Sequence, residues 1–488
     1  MDDGKLILPG ENGPTRKGPP NRMNDLPYRE WMKFQKSFFR LELAAPVSEW
    51  ILFFTKATWE DGRASQVIIS GINPPVNTEQ FGERKITWHP GMKTLSRVIE
   101  LLDGQHLAGS TYDFVYVDLS ADPGFAGSVL DTSKSAWKSL AEKIADLLLP
   151  RRYCCVVVNS PGPGGAGLPL PWYVADDLGT TLKLRDERIG IGGQSDPPRY
   201  FLIFQNEHDG VNHPTRSPVL LRTVSVDIAI PAWIMPKSPP RTKSEIAHPA
   251  KFPEALVTSF IELFSKPGDS VLDPMVGTGS TVVAALRSGR NGYGVDIVPA
   301  FADLARRRAA SELGGDLFSS DAAVQYSVVC GDATHLSELK DLSDTRFNYA
   351  ITSPPYWSML SNPGSENQAS RRKRDLALQY SEDQRDLGNV ADYDAFVALL
   401  SSVYSQVAQK LVRGGYLTVV VKNVKRNRSL YTLAWDIVDR LSYGKDPDYD
   451  YVGTTLWCQD DIGIKPFAVG IDWVSNILHH YCLHFRVR

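Results

Sequence analysis

Only five cysteines occur in the 488 residues, Cys154, Cys155, Cys330, Cys458 and Cys482, and none stands in a paired Cys-x-x-Cys spacing. Together with nine scattered histidines they give neither a disulfide framework nor a zinc site, so no metal is expected and a reducing, cytoplasmic setting is implied. No apolar run is long enough to cross a membrane, and the charged, proline-bearing start from Met1 to Arg22 lacks a signal core. Excess positive charge is also missing: 53 Lys and Arg against 56 Asp and Glu leave a net charge of −3. Any contact with nucleic acid must therefore rest on local basic patches. The chain has no Gly-x-x-x-x-Gly-Lys-Ser/Thr phosphate loop, its Gly277-Thr278-Gly279 turn lacks the third glycine of Gly-x-Gly-x-x-Gly, and the glycine-rich run from Gly162 to Gly167 reads as a loop without the lysine or helix start of a phosphate cradle. What is present, 42% hydrophobic residues over this length, suits a globular protein of two or three domains.

The most informative segment is Thr352-Ser353-Pro354-Pro355-Tyr356-Trp357, which follows the apolar run Asn348-Tyr349-Ala350-Ile351. A buried strand followed by paired prolines makes a rigid cup, because each proline fixes φ and Ser353 is pushed toward an extended conformation. Carbonyl oxygens and a hydroxyl then face outward as acceptors, and Tyr356 offers a stacking face for a flat, amino-bearing group. An ordinary Pro-Pro turn uses the same residues. Upstream, Ser270-Val271-Leu272-Asp273-Pro274-Met275-Val276-Gly277-Thr278-Gly279-Ser280-Thr281 reads as a strand, a glycine turn and a helix start, where the backbone can approach a ligand. Asn291 to Ile297 is a second strand, ending in Asp296, whose carboxylate can accept from a ribose diol. Val328 to Ala333 is a third, with Asp332 placed to accept from an adenine amino group. Four strand ends converge at the carboxyl edge of a parallel sheet, where ligands bind.

These residues resemble the amino-group methyltransferases of DNA that use S-adenosylmethionine. In that family a His-Pro-x-x-Phe-Pro segment precedes the glycine motif, and His248-Pro249-Ala250-Lys251-Phe252-Pro253 stands in that place. The resemblance extends through Gly414 to Val421 and covers about half of the chain. It implies a Rossmann-like α/β fold with a seven-stranded sheet and S-adenosylmethionine as cofactor. Lys251, Phe252, Asp273, Pro274, Met275, Gly277, Gly279, Ser280, Thr281, Asp296, Ile297, Asp332 and Ala333 would hold the cofactor, and Ser353, Pro354, Pro355 and Tyr356 would be catalytic. The glycine motif precedes the catalytic motif here, in contrast to family members with the reverse order.

Ser353 and the Pro354 carbonyl would accept both amino hydrogens of the target and free the nitrogen lone pair for in-line attack, without metal or covalent intermediate. Methylation at carbon 5 of cytosine would need a nucleophilic cysteine after a proline, and no cysteine here follows one. In the family a serine at the first motif position goes mostly with cytosine N4 and an acid or asparagine mostly with adenine N6. The expectation is therefore a site-specific DNA methyltransferase acting on cytosine N4, in a restriction-modification or phage-defence system and with other subunits of such a system as possible partners. Adenine N6, RNA, or a DNA-binding protein without catalysis are the alternatives. The target base would be flipped out of the duplex, with Tyr356 as a stacking surface. Trp357 would either stack on the base or cap the sheet. Two basic clusters, Arg371-Arg372-Lys373-Arg374 and Lys422, Lys425, Arg426 and Arg428, are candidates for phosphate contacts. The polar stretch from Ser358 to Val390 reads as a loop that closes over DNA.

The first half carries echoes of the second. Glu49 to Lys56 parallels Ser259 to Lys266, Tyr112 to Ser120 parallels the strand into the catalytic motif, and Tyr153 to Asn159 parallels the strand from Tyr416. Leu178 to Leu182 echoes Val452 to Leu456, and Tyr200 to Phe204 echoes Tyr481 to Phe485. Asp118-Leu119-Ser120-Ala121 replaces the cup, and no Gly-x-Gly lies between Ile68 and Trp88. The domains expected are a disordered tail (1–27), a degenerate methyltransferase-like α/β domain for scaffolding or target recognition (28–230), a proline-rich basic linker (231–247) and the catalytic domain (248–488).

Overall fold

The computed structural model describes residues 23–41, 47–75, 77–104, 107, 109–125, 136–160, 170–194, 196–207, 226–236, 253–314, 324–355, 357, 383, 385–426, 429–443, 447–460, 464 and 473–488. The first unit runs α1 (Tyr28–Lys33), β1 (Phe38–Arg40), α2 (Val47–Phe54), β2 (Gln66–Ser70), β3 (Lys85–His89), α3 (Leu95–Leu102), β4 (Tyr112–Asp118), α4 (Ala136–Leu147), β5 (Leu148–Asn159), α5 (Leu170–Gly179), β6 (Lys183–Ile191) and β7 (Arg199–Gln205). The second opens with β8 (Trp233–Ile234), α6 (Glu254–Phe264), β9 (Ser270–Asp273), α7 (Ser280–Arg287), β10 (Asn291–Asp296), α8 (Pro299–Gly314), β11 (Tyr326–Cys330) and β12 (Phe347–Thr352). It closes with α9 (Tyr393–Lys410), β13 (Leu411–Val421), β14 (Val424–Arg426), β15 (Ser429–Tyr431), α10 (Leu433–Ser442), β16 (Tyr449–Cys458) and β17 (His479–Val487). Strands buried on both faces, such as β4 with Phe114, Val115, Tyr116 and Val117, read as near-continuous apolar runs because helices cover both sides of the sheet. The helices show one apolar stripe instead. In α9 Phe396, Leu400, Val403 and Val407 turn inward, and the Asp392 carboxylate caps the first turn by accepting from Ala395 N at 2.8 Å.

The two sheets share one plan. The first has the order β1-β6-β7-β5-β4-β2-β3, and the second, read the same way, β8-β16-β17-β13-β12-β9-β10 with β11 added at the edge. β7 and β17 are antiparallel to both neighbours, and the remaining pairs in each sheet are parallel. Registers agree as well. Tyr153 pairs with Gln205 and Tyr416 with Arg486; Phe38 pairs with Ile189 and Trp233 with Leu456. A register shift falls between Tyr112 and Phe114 in one unit and between Phe347 and Tyr349 in the other. At that shift Asp113 accepts from Gln66 N at 3.0 Å, and Asn348 accepts from Ser270 N at 3.0 Å.

Some expected boundaries differ. The catalytic sheet has eight strands rather than seven, because Trp233 and Ile234, assigned to the linker, pair with β16. Met23 and Asn24, assigned to the tail, are buried, and Asn24 donates to the Phe53 carbonyl at 2.6 Å. The echo between Leu178–Leu182 and Val452–Leu456 is misleading: the former ends α5 and turns, while Gly453 lies within β16. Its register counterpart is Asp186, each standing at a bulge beside β7 or β17.

The units pack through equivalent elements. Trp172 of α5 and Trp435 of α10 stack with ring centroids 5.4 Å apart and planes 17° from parallel. Trp473 enters the aromatic core of the first unit beside Phe53 and Phe54, and the Tyr153 hydroxyl donates to its carbonyl at 3.3 Å. Ser37 meets His479 Nδ1 at 2.8 Å.

Candidate functional site

Four carboxylates organise the carboxyl edge of the second sheet by one local device: each accepts from the amide two residues on, which turns the chain sharply out of the preceding strand or loop. Asp273 accepts from Met275 N (3.1 Å), Asp296 from Val298 N (2.9 Å), Asp332 from Thr334 N (2.9 Å) and Asp386 from Gly388 N (2.8 Å). Between these turns lies a pocket with about 690 Å³ of open space, its solvent mouth included. Pro274, Met275, Asp296, Ile297, Asp332, Ala333, Ser353, Pro354 and Pro355, all singled out from the sequence, line it. The mixture of apolar walls with a few polar groups suits a nucleoside.

Asp273, Gly277, Gly279, Ser280 and Thr281 stand behind this lining. Asp273 is buried and accepts from the Thr281 hydroxyl at 2.6 Å, tying the strand end to the first turn of α7. Gly277 N donates to Asp296 Oδ2 at 2.8 Å, so the glycine turn is pinned to the neighbouring strand end. Gly279 has φ 86°, and a Cβ there would lie 2.8 Å from the Ala305 Cβ. Its smallness lets α7 pack against α8. Burial pushes the Asp273 carboxyl up to about 6, against the Thr281 and Thr352 hydroxyls and the Met275 amide, which lower it. Burial likewise raises Asp296 to about 6, opposed by the Val298 and Gly277 amides.

A nucleoside fits these groups. Asp296 faces the pocket with both oxygens held by backbone amides, leaving lone pairs for a diol. Asp332 Oδ1 is engaged by Thr334, whereas Oδ2 makes no hydrogen bond among the described residues and lies 3.8 Å from His335 Nδ1. Met275, Ile297, Phe301 and Leu387 provide apolar surface for a ring. The sequence reading missed Val298, Phe301, Gly331, Thr334, Arg385, Asp386, Leu387 and Val403 as lining residues. An Asp followed two residues later by a turn was the available signal for the 385–388 segment, since Asp386-Leu387-Gly388 repeats the pattern of Asp332.

The other expected residues are distributed differently. Trp357 caps the core and does not stack on a ligand: it is buried, its Nε1 donates to the Ala391 carbonyl at 3.2 Å, and Tyr393 and Tyr431 pack on it. Lys425 is turned inward to Asp186 of the first unit, with side chains 7% and 0% exposed, and also donates to the Ser475 carbonyl at 2.9 Å. Lys422 points to Gln459 and the Ile477 carbonyl, and burial lowers its pKa to about 8. The expectation that Lys422 and Lys425 meet phosphates is therefore corrected: their ammonium groups are committed to the interior between the units. Arg426 lies with its guanidinium carbon 4.9 Å over the Trp357 ring. Lys251, Phe252, Tyr356, Arg371, Arg372, Lys373, Arg374 and Arg428 lie outside the described residues, as does most of the Ser358–Val390 loop.

Register carries each site position into the first unit, where the chemistry is absent. Asp273 corresponds to Ile69, Gly294 to Trp88, and Asp296 to Pro90 just beyond β3. Ser353, Pro354 and Pro355 correspond to Asp118, Leu119 and Ser120. Gly71, the counterpart of Met275, runs so close to the end of β4 that a Cβ on it would fall 2.0 Å from the Asp118 carbonyl oxygen. At this point the backbones of the two strand ends of the first unit lie in direct contact.

A family model described as DNA methylase matches residues 21–307, well over half of the chain, and ends before the Ser-Pro-Pro cup. Among curated relatives, the type II methyltransferase M2.DpnII of Streptococcus pneumoniae is 42% identical over 65 residues, 13% of this chain and 24% of the relative. The type II methyltransferase M.HpaI of Haemophilus parainfluenzae is 38% identical over 73 residues, 15% of this chain and 23% of the relative. The chain thus spans about a quarter of the length of the curated relatives it matches. Among solved structures, TrmN from Thermus thermophilus aligns over 81% of this chain and 77% of its own, with TM-score 0.31 and 13% identity. The N-methyltransferase NodS from Bradyrhizobium japonicum, in complex with S-adenosylhomocysteine, aligns over 50% of this chain and 93% of its own, with TM-score 0.29 and 11% identity.

Proposed function

The chain belongs to the DNA methylase family, and from that membership we propose that its second unit transfers a methyl group from S-adenosylmethionine to the exocyclic N4 amino group of cytosine in DNA. The observation that carries this reading is one shared wall: Ser353, Pro354 and Pro355 line the same pocket as Asp296 and Asp332. A group held in the cup is therefore adjacent to a nucleoside held by the two acids.

The bound donor supplies an electrophilic methyl on a sulfonium. Asp296 would accept from the ribose hydroxyls and Asp332 Oδ2 from the adenine amino group, while Met275, Ile297 and Phe301 would exclude water from the ring. The Ser353 hydroxyl and Pro354 carbonyl would accept the two hydrogens of the cytosine amine, draw the nitrogen toward tetrahedral geometry and point its lone pair at the methyl; the N–C bond forms as the S–C bond breaks, S-adenosylhomocysteine leaves, and the nitrogen's surplus proton passes to solvent. The prolines hold these acceptors in place before the base arrives. A neutral serine hydroxyl suits this amine, and that is the basis for preferring cytosine N4 to adenine N6. The base enters flipped from the duplex. A role in restriction-modification or phage defence is consistent with the type II relatives. The first unit serves as a methyltransferase-like scaffold without chemistry of its own, a reading supported by its matching strand order, by the replacement of Asp273, Asp296 and Ser353, and by a family match that begins at residue 21.

The test is incubation with labelled donor and DNA, followed by digestion to nucleosides. N4-methylcytosine is the expected product, and N6-methyladenine alone overturns the choice of base. A protein that binds DNA but shows no S-adenosylmethionine binding by calorimetry is a DNA-binding protein without catalysis. Pro355→Ala should abolish transfer while leaving donor affinity within about twofold, because the donor is held by other strand ends.

A further inference from the structure

Lys425 and Arg426 are successive residues of β14, so their side chains leave opposite faces of the β14–β15 hairpin. One face is fastened to the first unit. Lys425 is paired with Asp186, and Asp186 also accepts from Ser475 N. Just before the hairpin, Asn423 is buried, donates to Glu187 at 2.6 Å and accepts from Ala434 N at 3.0 Å. The other face packs on Trp357. Arg426 covers the Trp357 indole, and Tyr431 packs on the same ring at 4.8 Å. Trp357 stands two residues beyond Pro355. A hairpin of three residues per strand has no stability of its own, so what touches its faces decides where it sits.

We propose that the first unit positions the acceptor cup through this hairpin, with Lys425 and Arg426 as positioning residues on its two faces. The inference rests on the reading of Ser353 to Pro355 as the acceptor site. It gives the first unit a part in catalysis although the acids and the cup are replaced there: the pair between Asp186 and Lys425 fixes the hairpin, and the stack of Arg426 on Trp357 fixes the chain that continues the cup. The same placement withdraws Arg426 from phosphate contact.

The experiment compares Arg426→Gln, Arg426→Lys and Lys425→Met with the wild-type chain, measuring kcat, KM for DNA, DNA affinity at two salt concentrations and donor affinity, with thermal melts to confirm folding. R426Q should lower kcat about tenfold or more while DNA and donor affinities stay within about twofold. R426K, which keeps a cation over the indole, should recover most of the rate. K425M, which keeps the apolar stem and leaves Asp186 bonded to Ser475, should show the same split between kcat and KM. Wild-type kcat in R426Q overturns the proposal. So does unchanged kcat with a raised KM for DNA and a weaker salt dependence, which is the signature of a lost phosphate contact. Wild-type protein without any transfer overturns the methyltransferase reading itself, whereas an active wild type with an indifferent hairpin overturns this inference alone.

Discussion

Asp296 joins two demands in one side chain. Its carboxylate pins the glycine turn through Gly277 N and offers acceptors to a bound nucleoside, yet burial favours its neutral form and raises it to about 6. Since an unfolded Asp titrates near about 3.9, the stability it lends is full below that value and is lost as pH rises through about 6. Asp273, also raised to about 6, acts in the same direction. Thermal melts of the ligand-free protein should accordingly show a lower Tm at pH 8 than at pH 5.5. Donor affinity should move the opposite way, because the ribose hydroxyls need the ionised acid. Calorimetry with S-adenosylhomocysteine should show affinity falling by up to about tenfold per pH unit below about 6. A second residue tests packing. Gly279→Ala places a Cβ against Ala305 at a positive φ, and should cost about 1–3 kcal/mol in denaturant unfolding. Gly268→Ala, also at positive φ but with nothing within 4 Å, separates backbone strain from contact and should cost less.

Among the elements, α5 and α10 hold corresponding places before β6 and β16 and meet through Trp172 and Trp435. Both indoles are buried, and Trp172 also touches Tyr481 edge-on at 5.7 Å. Either Trp→Ala change should destabilise by about 3–5 kcal/mol, with the double change falling short of the sum by about 0.5–1.5 kcal/mol for the lost stack. Equilibrium unfolding of the two single variants and the double variant measures this. The elements of the second unit were legible because each strand runs into a punctuated turn: Asp273, Asp296, Asp332 and Ser353 close apolar runs of four to six residues. The first unit was harder to read. Among the described residues, the loop from Gly71 to Arg84 takes the place of the helix after the first central strand with a short turn at Glu79–Phe81, and β11 has no counterpart. The apparent match of Leu178–Leu182 to Val452–Leu456 shows the limit of short echoes, since the same letters end a helix in one place and fill a strand in the other.

At the scale of the molecule, the acids and the cup of the second unit are replaced at the corresponding positions of the first, so one donor should bind per chain, which calorimetry reads directly as a stoichiometry near one. The units should also not be separable. Trp473 of the second lies in the core of the first, and Asp186 and Lys425 are buried against each other. Removing either partner leaves a buried charge uncompensated, a cost of about 3–5 kcal/mol. Residues 226–488, which include β8, should when expressed alone aggregate or melt well below the full chain, and co-expression with residues 1–225 should restore solubility.

The sequence by itself determined the strand ends of the second unit, the order of its motifs and most of the pocket's lining, because those depend on local chemistry: proline fixing φ, an acid turning the chain, an apolar run seeking a sheet. It also contained the repeat, in Tyr153 with Tyr416 and Tyr200 with Tyr481. Only the tertiary structure decided which charges meet solvent and which are spent inside. Lys422 and Lys425 follow a strand at the pocket edge and look like phosphate ligands in the chain, but their partners, Gln459, Asp186 and Ser475, are distant in sequence. The packing of Gly279 against Ala305 of α8 was likewise invisible in the chain. A side chain's local pattern fixes its conformation; its role depends on the surfaces that packing brings to it.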